Sequence, residues 1–446
     1  MTPKRAAGHE SDMTAWLTLA SGLGLLLVLF LTGLPIFIAF LVINIAGVIL
    51  VLGTAGFGLF ANSIFETTNT AAFAAIPLFL LLGELLFRSG TIDHLFHSVD
   101  KLIGRVNGRQ YFLCVSLSTI FGALSGSAMG VAAMMGRSLY PVMIAQGYDR
   151  RLSTGLILAG ASLAPIIPPS VLVIIIATLA DVSVAKLLIA GIIPGFVLAA
   201  LFMSYALIRV ALDASLAPGR ADVKRVSVSE KFIAVARMAP FGIIIFCVMG
   251  LILLGIATPS ESAATGVVGA LITAAYYGRL SWRMVAESIA SAAFVTSMIL
   301  VIIASANMFG QLLAFTGATR EVVRAITSLD LHPYLLLLLM MLIPLVLCMF
   351  IDQVALLLIV VPIYQPLVGT LGFDPVWFWL MMLLNLTVGG ITPPFGYTMF
   401  AFKGGAPDVP LADIFAASWP FVMLFVIGIL LIAMFPPLAT YLPSLI

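Results

Sequence analysis

The sequence is short of charged residues and of cysteine, and each shortage excludes a class of protein. Only 9% of its 446 residues are charged and 62% are hydrophobic, whereas an average soluble domain has about 25% charged residues. The three cysteines, Cys114, Cys247 and Cys348, lie within apolar runs. Their spacing fits neither a disulfide framework nor a zinc site, so we expect them to pack in the core. A net charge of only +2 gives no indication of nucleic-acid binding.

What the sequence has instead is a series of long apolar segments. They are too long for the strands of a membrane barrel and match the ~20 residues that a helix needs to cross a bilayer. We therefore predict an all-α polytopic membrane protein with about ten to twelve spans. Glu10 and Asp12 precede the first apolar stretch, which argues against a cleavable signal peptide. Continuous spans are predicted over 13–32, 35–53, 72–87, 187–212, 238–256, 260–277, 284–316 and 413–441, and interrupted ones over 111–145, 152–183, 334–368 and 376–402.

Lysine and arginine in the short loops predict the orientation, because they concentrate on the cytoplasmic side. The segments 88–110 and 209–237 are rich in both residues and are predicted to be cytoplasmic. The second of them contains 213–237, which we expect to be the one substantial soluble loop. Counting spans from these segments places the N-terminus outside, the loop at 279–283 inside and 320–333 outside.

A pair of prolines occurs twice, and the residues ahead of it recur at the same offset. Pro169 and Pro394 are 225 residues apart, each preceded by another proline. At that offset three further identities follow: Pro141 with Pro366, Gly147 with Gly372, and Asp149 with Asp374. The loop before the first copy is predicted to be inside and the loop before the second outside, so the two copies are predicted to be inverted. Interrupted apolar segments in corresponding halves of a membrane chain indicate the binding site of a secondary transporter.

Each copy contains two breaks in an apolar segment. The first copy has LSGSAMG at 124–130 and LAPIIPPS at 163–170, and the second has CMFIDQ at 348–353 and GGITPP at 389–394. An unpaired backbone group in hydrocarbon costs several kcal/mol, so such breaks persist only where protein, ions or water satisfy them. Their carbonyl and hydroxyl oxygens suit sodium, and the ends of the half-helices add favourable dipoles.

Seven motifs of the chain resemble, in order and spacing, the large membrane subunit of tripartite ATP-independent periplasmic (TRAP) transporters. They are FGALSGSA, PVMIAQGY, PIIPPS, LIAGIIPG, GIATPSESAA, LGFDPVWF and GGITPPFG, and the resemblance covers about residues 15–440. It implies an elevator-type fold of inverted repeats, with two re-entrant hairpins and two broken helices. It also implies an importer of organic acids in the bacterial inner membrane, coupled to two sodium ions. Such a subunit works with a small four-helix membrane subunit and a soluble periplasmic substrate-binding protein.

The resemblance also implies roles for individual residues of the four breaks. Sodium ligands are implied at Ser125, Gly126, Ser127, Pro168, Asp352, Gly389, Gly390, Thr392 and Pro393, and substrate contacts at Pro169, Ser170 and Pro394. The family usually has Ala-Asp where this chain has Met129-Gly130, so the first hairpin tip lacks a carboxylate.

Isolated polar residues within apolar segments are further candidates, and each has two interpretations. Arg137 either meets a substrate carboxylate or extends to the cytoplasmic face. Ser305 and Asn307 either contact substrate or pack between helices. Asp352 either binds ion or substrate or caps the hairpin helix. We expect Glu84 to pair with an arginine four residues on.

The positions of the breaks suggest a division into five segments. We expect N-terminal scaffold helices with an amphipathic arm at 1–110, a first transport-domain repeat at 111–186 and further scaffold helices at 187–333. A second repeat is expected at 334–412 and a C-terminal membrane helix at 413–446.

Other functional classes are less well supported by the residues. A stand-alone ion-coupled organic anion transporter of the same superfamily is the main alternative. An intramembrane serine protease is not expected, because Ala123 stands where its G-x-S-G motif would need glycine. All four histidines, His9, His94, His97 and His332, lie outside the predicted spans. A purely structural scaffold would not need two matched pairs of breaks.

Overall fold

The computed structural model describes residues 19–30, 32–53, 56–104, 106–218, 227–329 and 331–446, and within them all regular structure is helical. In chain order the helices are α1 (Leu19–Phe30), α2 (Ile36–Gly47), α3 (Phe57–Asn69), α4 (Ala75–Arg88), α5 (Ile92–Ile103), α6 (Arg109–Ser125), α7 (Ala128–Ser138), α8 (Tyr140–Ala145), α9 (Arg150–Ala161), α10 (Val171–Leu179), α11 (Val184–Ala190), α12 (Ile192–Leu212), α13 (Val228–Ile245), α14 (Leu251–Leu253), α15 (Pro259–Tyr276), α16 (Trp282–Phe315), α17 (Ala318–Ser328), α18 (Pro333–Leu347), α19 (Gln353–Thr370), α20 (Pro375–Gly389), α21 (Tyr397–Gly405), α22 (Leu411–Met434) and α23 (Pro437–Thr440). Seven helical segments of this described part are long and apolar enough to cross a membrane. The all-α, multi-pass prediction is therefore confirmed.

The centre of the molecule is formed by two helices that end in the middle of the protein. Residues 152–161 of α9 and 377–389 of α20 are all buried, including Trp379 and Phe378. A helix that is buried on every side belongs in a core. Buried polar side chains of α20 make hydrogen bonds: Trp377 Nε1 donates to the carbonyl of Ile432 (2.9 Å), Asn385 Nδ2 to that of Met341 (2.7 Å) and Thr387 Oγ1 to that of Leu383 (2.7 Å).

The elements of the two sequence copies interlock around this centre. Helix α7 of the first copy packs against α21 of the second, and α10 packs against α19. Gly136 and Gly405 allow the closer of these approaches, because a β-carbon on Gly405 would overlap the carbonyl of Ala133. A second group of helices packs together beside them, with α4 against α15 and α16 and with α16 against α2 and α3.

The duplicated sequence adopts duplicated local structure. Gly147 and Gly372 both have positive φ (85° and 71°), which only glycine adopts at little cost. The amide of the next residue bonds five residues back in both copies, Tyr148 to Met143 (3.0 Å) and Phe373 to Val368 (3.2 Å). The aspartates that follow cap α9 and α20 through the same bond to the third helical residue.

Two amphipathic helices occupy equivalent positions in the copies. The expected amphipathic piece at 88–110 contains α5, and α17 lies 225 residues further on. Neither α17 nor α3 was predicted, because both mix polar and apolar residues and neither contains an apolar run long enough for a membrane span. Arg109 ties α5 to α6 by an ion pair with Asp100 (2.9 Å). Burial raises the pKa of Asp100, although Arg109 opposes this shift.

The prediction of one long loop over 213–237 is wrong for its second part. Helix α13 begins at Val228, and Ser227 and Glu230 form a capping box at its start. The S-x-x-E pattern signals such a start, but the first turn of α13 is polar and therefore resembles a loop in the sequence. Residues 219–226, like 1–18, lie outside the described residues, and so does the predicted start of the first span at 13–18.

Several local predictions are confirmed. Glu84 pairs with Arg88 (2.7 Å), which also reaches Glu287 on α16 (3.2 Å). A capping box also forms at the start of α15, where the T-x-x-E pattern of Thr258 and Glu261 signals a helix start. All three cysteines are free, and Cys114 and Cys348 are buried as expected, but the expectation of core packing is wrong for Cys247, which is only partly buried.

Candidate functional site

The first hairpin turns within two residues. Helix α6 ends at Ser125, Gly126 adopts a left-handed conformation (φ 61°), and Ser127 caps α7 by accepting a hydrogen bond from the amide of Gly130 (3.2 Å). The hydroxyl of Ser125 donates to the carbonyl of Phe121 (2.8 Å). Both hydroxyls therefore satisfy groups that the break exposes, and both keep acceptor capacity for a further ligand.

The first unwound segment lies between α9 and α10 and contacts this tip. The peptide between Pro168 and Pro169 is cis, and the buried Ser170 caps α10 by accepting from the amide of Val173 (3.3 Å). A β-carbon on Gly126 would lie 2.7 Å from the carbonyl oxygen of Pro169. The structure thus brings together the predicted residues of the first copy, and it does so through backbone contact.

The second hairpin has a longer turn, between α18 and α19. Asp352 caps α19, with Oδ1 accepting from the amides of Val354 (2.9 Å) and Ala355 (3.4 Å). Of the two interpretations of this residue, capping is therefore observed, which leaves its second oxygen to be considered as a ligand. Phe350, two residues earlier, is exposed.

The second unwound segment runs from Gly390 to Gly396, between α20 and α21. The peptide between Pro393 and Pro394 is cis, and the hydroxyl of Thr392 donates to the carbonyl of Val388 (2.7 Å). The amide of Thr398 bonds to the carbonyl of Gly390 (3.0 Å), which closes the loop. Gly389 lies so close to Cys348, at the base of the hairpin turn, that a β-carbon there would overlap the Cys348 side chain.

A pair of residues that the sequence does not single out joins the second tip to the second unwound segment. The hydroxyl of Tyr397 donates to Oε1 of Gln353 (2.6 Å). Both are the first residues of their helices, one residue after the caps Gly396 and Asp352. A tyrosine and a glutamine 44 residues apart form no recognisable sequence motif, so only the tertiary structure shows that they pair.

The four breaks together give a site built from helix ends. Helices α6, α9, α18 and α20 end at the breaks, and α7, α10, α19 and α21 begin there. Carbonyl groups at the C-terminal ends attract cations and amide groups at the N-terminal ends attract anions. Among the described residues, no three His, Cys, Asp or Glu side chains converge on a metal site. The donors at the breaks are hydroxyl, carbonyl and carboxylate oxygens, which fit a hard cation such as sodium.

The remaining substrate candidates occupy other surroundings. Arg137 is exposed in the last turn of α7. The buried Ser305 accepts a bond at its carbonyl from Asn44 Nδ2 (2.6 Å), and Asn307 Nδ2 donates to Thr67 on α3 (3.3 Å). Interhelical contacts are therefore observed for both residues of α16. Asn307 also lines a cavity of about 440 Å³ shared by α3, α10, α16, α17 and α19.

Comparison with known proteins identifies a family, several relatives and a solved structure that are similar to this chain. Residues 23–438 match the sequence profile of a family described as "Tripartite ATP-independent periplasmic transporter, DctM component". The chain is 28% identical to the C4-dicarboxylate TRAP transporter large permease of Pseudomonas aeruginosa, covering 86% of this chain and 89% of that protein. It is also 28% identical to the sialic acid TRAP transporter large permease of Vibrio cholerae (94% and 96% covered) and to the ectoine TRAP transporter large permease of Halomonas elongata (94% and 97%). Among solved structures, the YdaH transporter of Alcanivorax borkumensis has a similar fold, with a TM-score of 0.61, 15% identity and 88% and 89% of the chains covered.

Proposed function

Because the chain belongs to the family of DctM components of tripartite ATP-independent periplasmic transporters, we propose that it is the permease of a sodium-coupled, binding-protein-dependent importer of organic acids. Membership makes it a multi-pass inner-membrane permease component and not an enzyme. The observation that carries the proposal is the pair of hairpin tips, each held against its own broken helix at the same sequence offset.

Sodium coupling is supported by the donors at the breaks. The proposed first site uses Ser125, Gly126, Ser127 and Pro168, and the proposed second site uses Asp352, Gly389, Gly390, Thr392 and Pro393. Buried hydroxyls such as that of Thr392 already face helix ends whose carbonyls favour a cation. Asp352 adds one negative charge to the second site, whereas the corresponding Ser127 leaves the first site neutral.

An organic acid as substrate is supported by the relatives and by the helix N-termini. Two of the relatives are named for C4-dicarboxylates and sialic acid, and a third for ectoine. Four helices begin at the breaks, and their amide ends suit a carboxylate. Pro169, Ser170 and Pro394 stand at these ends, and Arg137, Ser305 and Asn307 are the additional candidates.

The partners follow from the family description of a tripartite transporter. We propose a small four-helix membrane subunit and a soluble periplasmic substrate-binding protein as the other two components. Within this chain, the packing of the helices suggests a division into a moving part and a fixed part. The interlocked hairpins and broken helices would move as one transport domain, and the group around α2, α3, α4, α15 and α16 would be the scaffold.

Transport in proteoliposomes tests this proposal. The permease, reconstituted with its small subunit, is supplied with the cognate binding protein loaded with a ligand that thermal shift has identified. Uptake that needs both an inward sodium gradient and the binding protein is the expected result. Uptake without the binding protein would instead identify a stand-alone transporter, and uptake driven by protons alone would refute sodium coupling.

A further inference from the structure

The two hairpin tips are fastened to their broken helices by different means. The first tip is held by backbone contact, with Gly126 against the carbonyl of Pro169. The second tip has a side-chain hydrogen bond in addition, from Tyr397 to Gln353 (2.6 Å). At the 225-residue offset the positions of Gln353 and Tyr397 are Ala128 and Leu172, whose side chains cannot form a hydrogen bond. The bond is therefore a property of the second copy alone.

The geometry points to Gln353 and Tyr397 as a latch that holds the second hairpin closed over its half of the site. Breaking this hydrogen bond releases the second hairpin and leaves the first hairpin closed. Gln353 follows the cap Asp352 directly, so the bond from its side chain ties the start of α19, and the carboxylate beside it, to Tyr397. Tyr397 is equally well placed, because its ring lies against Gly390. A β-carbon on Gly390 would come within 2.7 Å of Cε1 of that ring.

Gln353 and Tyr397 are positioning residues in this proposal, since they act through the groups beside them. Releasing the bond frees the second tip, the cap Asp352 and the loop from Gly390 to Gly396 together. The consequence for ion binding rests on the proposed function, but the closure of the hairpin does not, and the two can be measured separately.

The chain provides its own reporter of this closure. Cys348 lies at the base of the second hairpin turn, packed against Gly389 and only 6% exposed. Cys114 lies in α6 of the first hairpin and is fully buried. Opening of the second tip would expose Cys348 and leave Cys114 unchanged. The third cysteine, Cys247, is partly exposed and is replaced by alanine in the parent and in every variant.

The experiment measures the rate at which N-ethylmaleimide modifies Cys348 and Cys114 in the purified full-length protein without sodium, resolved by peptide mass spectrometry. Tyr397→Phe removes only the hydroxyl, and Gln353→Ala removes the acceptor. We expect each to raise the modification rate of Cys348 about fivefold, the effect of losing one hydrogen bond on a local opening equilibrium. The double variant should be no faster than either single one, because both remove the same interaction.

Tyr111→Phe is the matched control. The hydroxyl of Tyr111 also makes a hydrogen bond across the fold, to the carbonyl of Leu216 (2.7 Å), but it lies in the first hairpin. We expect this variant to leave Cys348 unchanged. Equal Cys348 rates in the parent and in both latch variants would overturn the proposal. A rise at Cys114 together with Cys348 would also overturn it, because the variants would then loosen the whole protein.

A sodium titration of the same rates separates the latch from the proposed function. We expect sodium to slow modification of Cys348 in the parent, and Tyr397→Phe to need about fivefold more sodium for half of this protection. If sodium protects no variant while the sodium-free rates still differ, the latch stands and sodium coupling fails. If sodium protects the parent and Tyr397→Phe at the same concentration, the latch does not position the ion site and this part of the proposal is refuted.

Discussion

At three of the four breaks, a single side chain caps the helix that follows. Ser127, Ser170 and Asp352 each accept a bond from the first turn of the helix that follows. A cap of this kind contributes about 1 kcal/mol to helix stability. The hydroxyl and carboxylate groups are thereby held in fixed positions, which is what an ion site requires of its ligands.

Replacing Ser127 with alanine should separate these two roles. We expect Ser127→Ala to lose about 1 kcal/mol of stability through the cap and to raise the sodium concentration for half-maximal uptake about tenfold, the effect of about 1.4 kcal/mol at an ion site. Thr392→Ala should have the same effect on sodium dependence. Thermal unfolding and sodium-dependent uptake are the two measurements.

Ser183→Ala is the control for this prediction. Ser183 caps α11 by accepting from the amide of Lys186 (3.3 Å), much as Ser127 caps α7. It should lower stability by a similar amount and leave sodium dependence unchanged. Unaltered sodium activation in both Ser127→Ala and Thr392→Ala would remove these residues from the proposed ion sites.

At the scale of whole elements, the long apolar helices were predictable and the mixed ones were not. The predictions at 260–277, 284–316, 334–368 and 376–402 match the observed helices within a few residues, and the four breaks lie at the predicted positions. Helices α3 and α17 were missed because packing against neighbours, and not a long apolar run, stabilises them. The start of α13 was missed although its capping box was present in the sequence.

The start of α13 can be tested directly. Ser227→Ala removes the side chain that accepts from the amide of Glu230 (3.1 Å), and loss of a cap costs about 1 kcal/mol. We expect hydrogen exchange of the first-turn amides of α13 to become about fivefold faster. Ser229→Ala, two residues after the cap, should leave the exchange unchanged. Identical exchange in the two variants would mean that the capping box does not hold this helix end.

At the scale of the whole molecule, the orientation of the two copies decides the mechanism. Positive charge predicts that the chain at 209–237 is cytoplasmic and that 320–333 is periplasmic. The amphipathic helices α5 and α17 would then lie at opposite faces of the membrane. Such an arrangement lets one repeat open to each side, which an alternating-access transporter needs.

Labelling of intact cells with a membrane-impermeant thiol reagent tests this orientation. In a cysteine-free background, we expect Ser328→Cys, at the end of α17, to be labelled from outside and Ser215→Cys, in the turn after α12, to be labelled only after permeabilisation. Labelling of both positions from the same side would refute the inverted arrangement of the copies.

The sequence by itself determined the class of the protein, its family and the positions of the four breaks. Apolar length and paired Gly-Pro interruptions are local properties, because the cost of an unpaired backbone group in hydrocarbon acts at the residue where it occurs. Only the tertiary structure decided which breaks touch, how α7 meets α21 and α10 meets α19, and that Tyr397 bonds to Gln353. These contacts join residues far apart in the chain, and side-chain packing across the core, which no local pattern records, determines them.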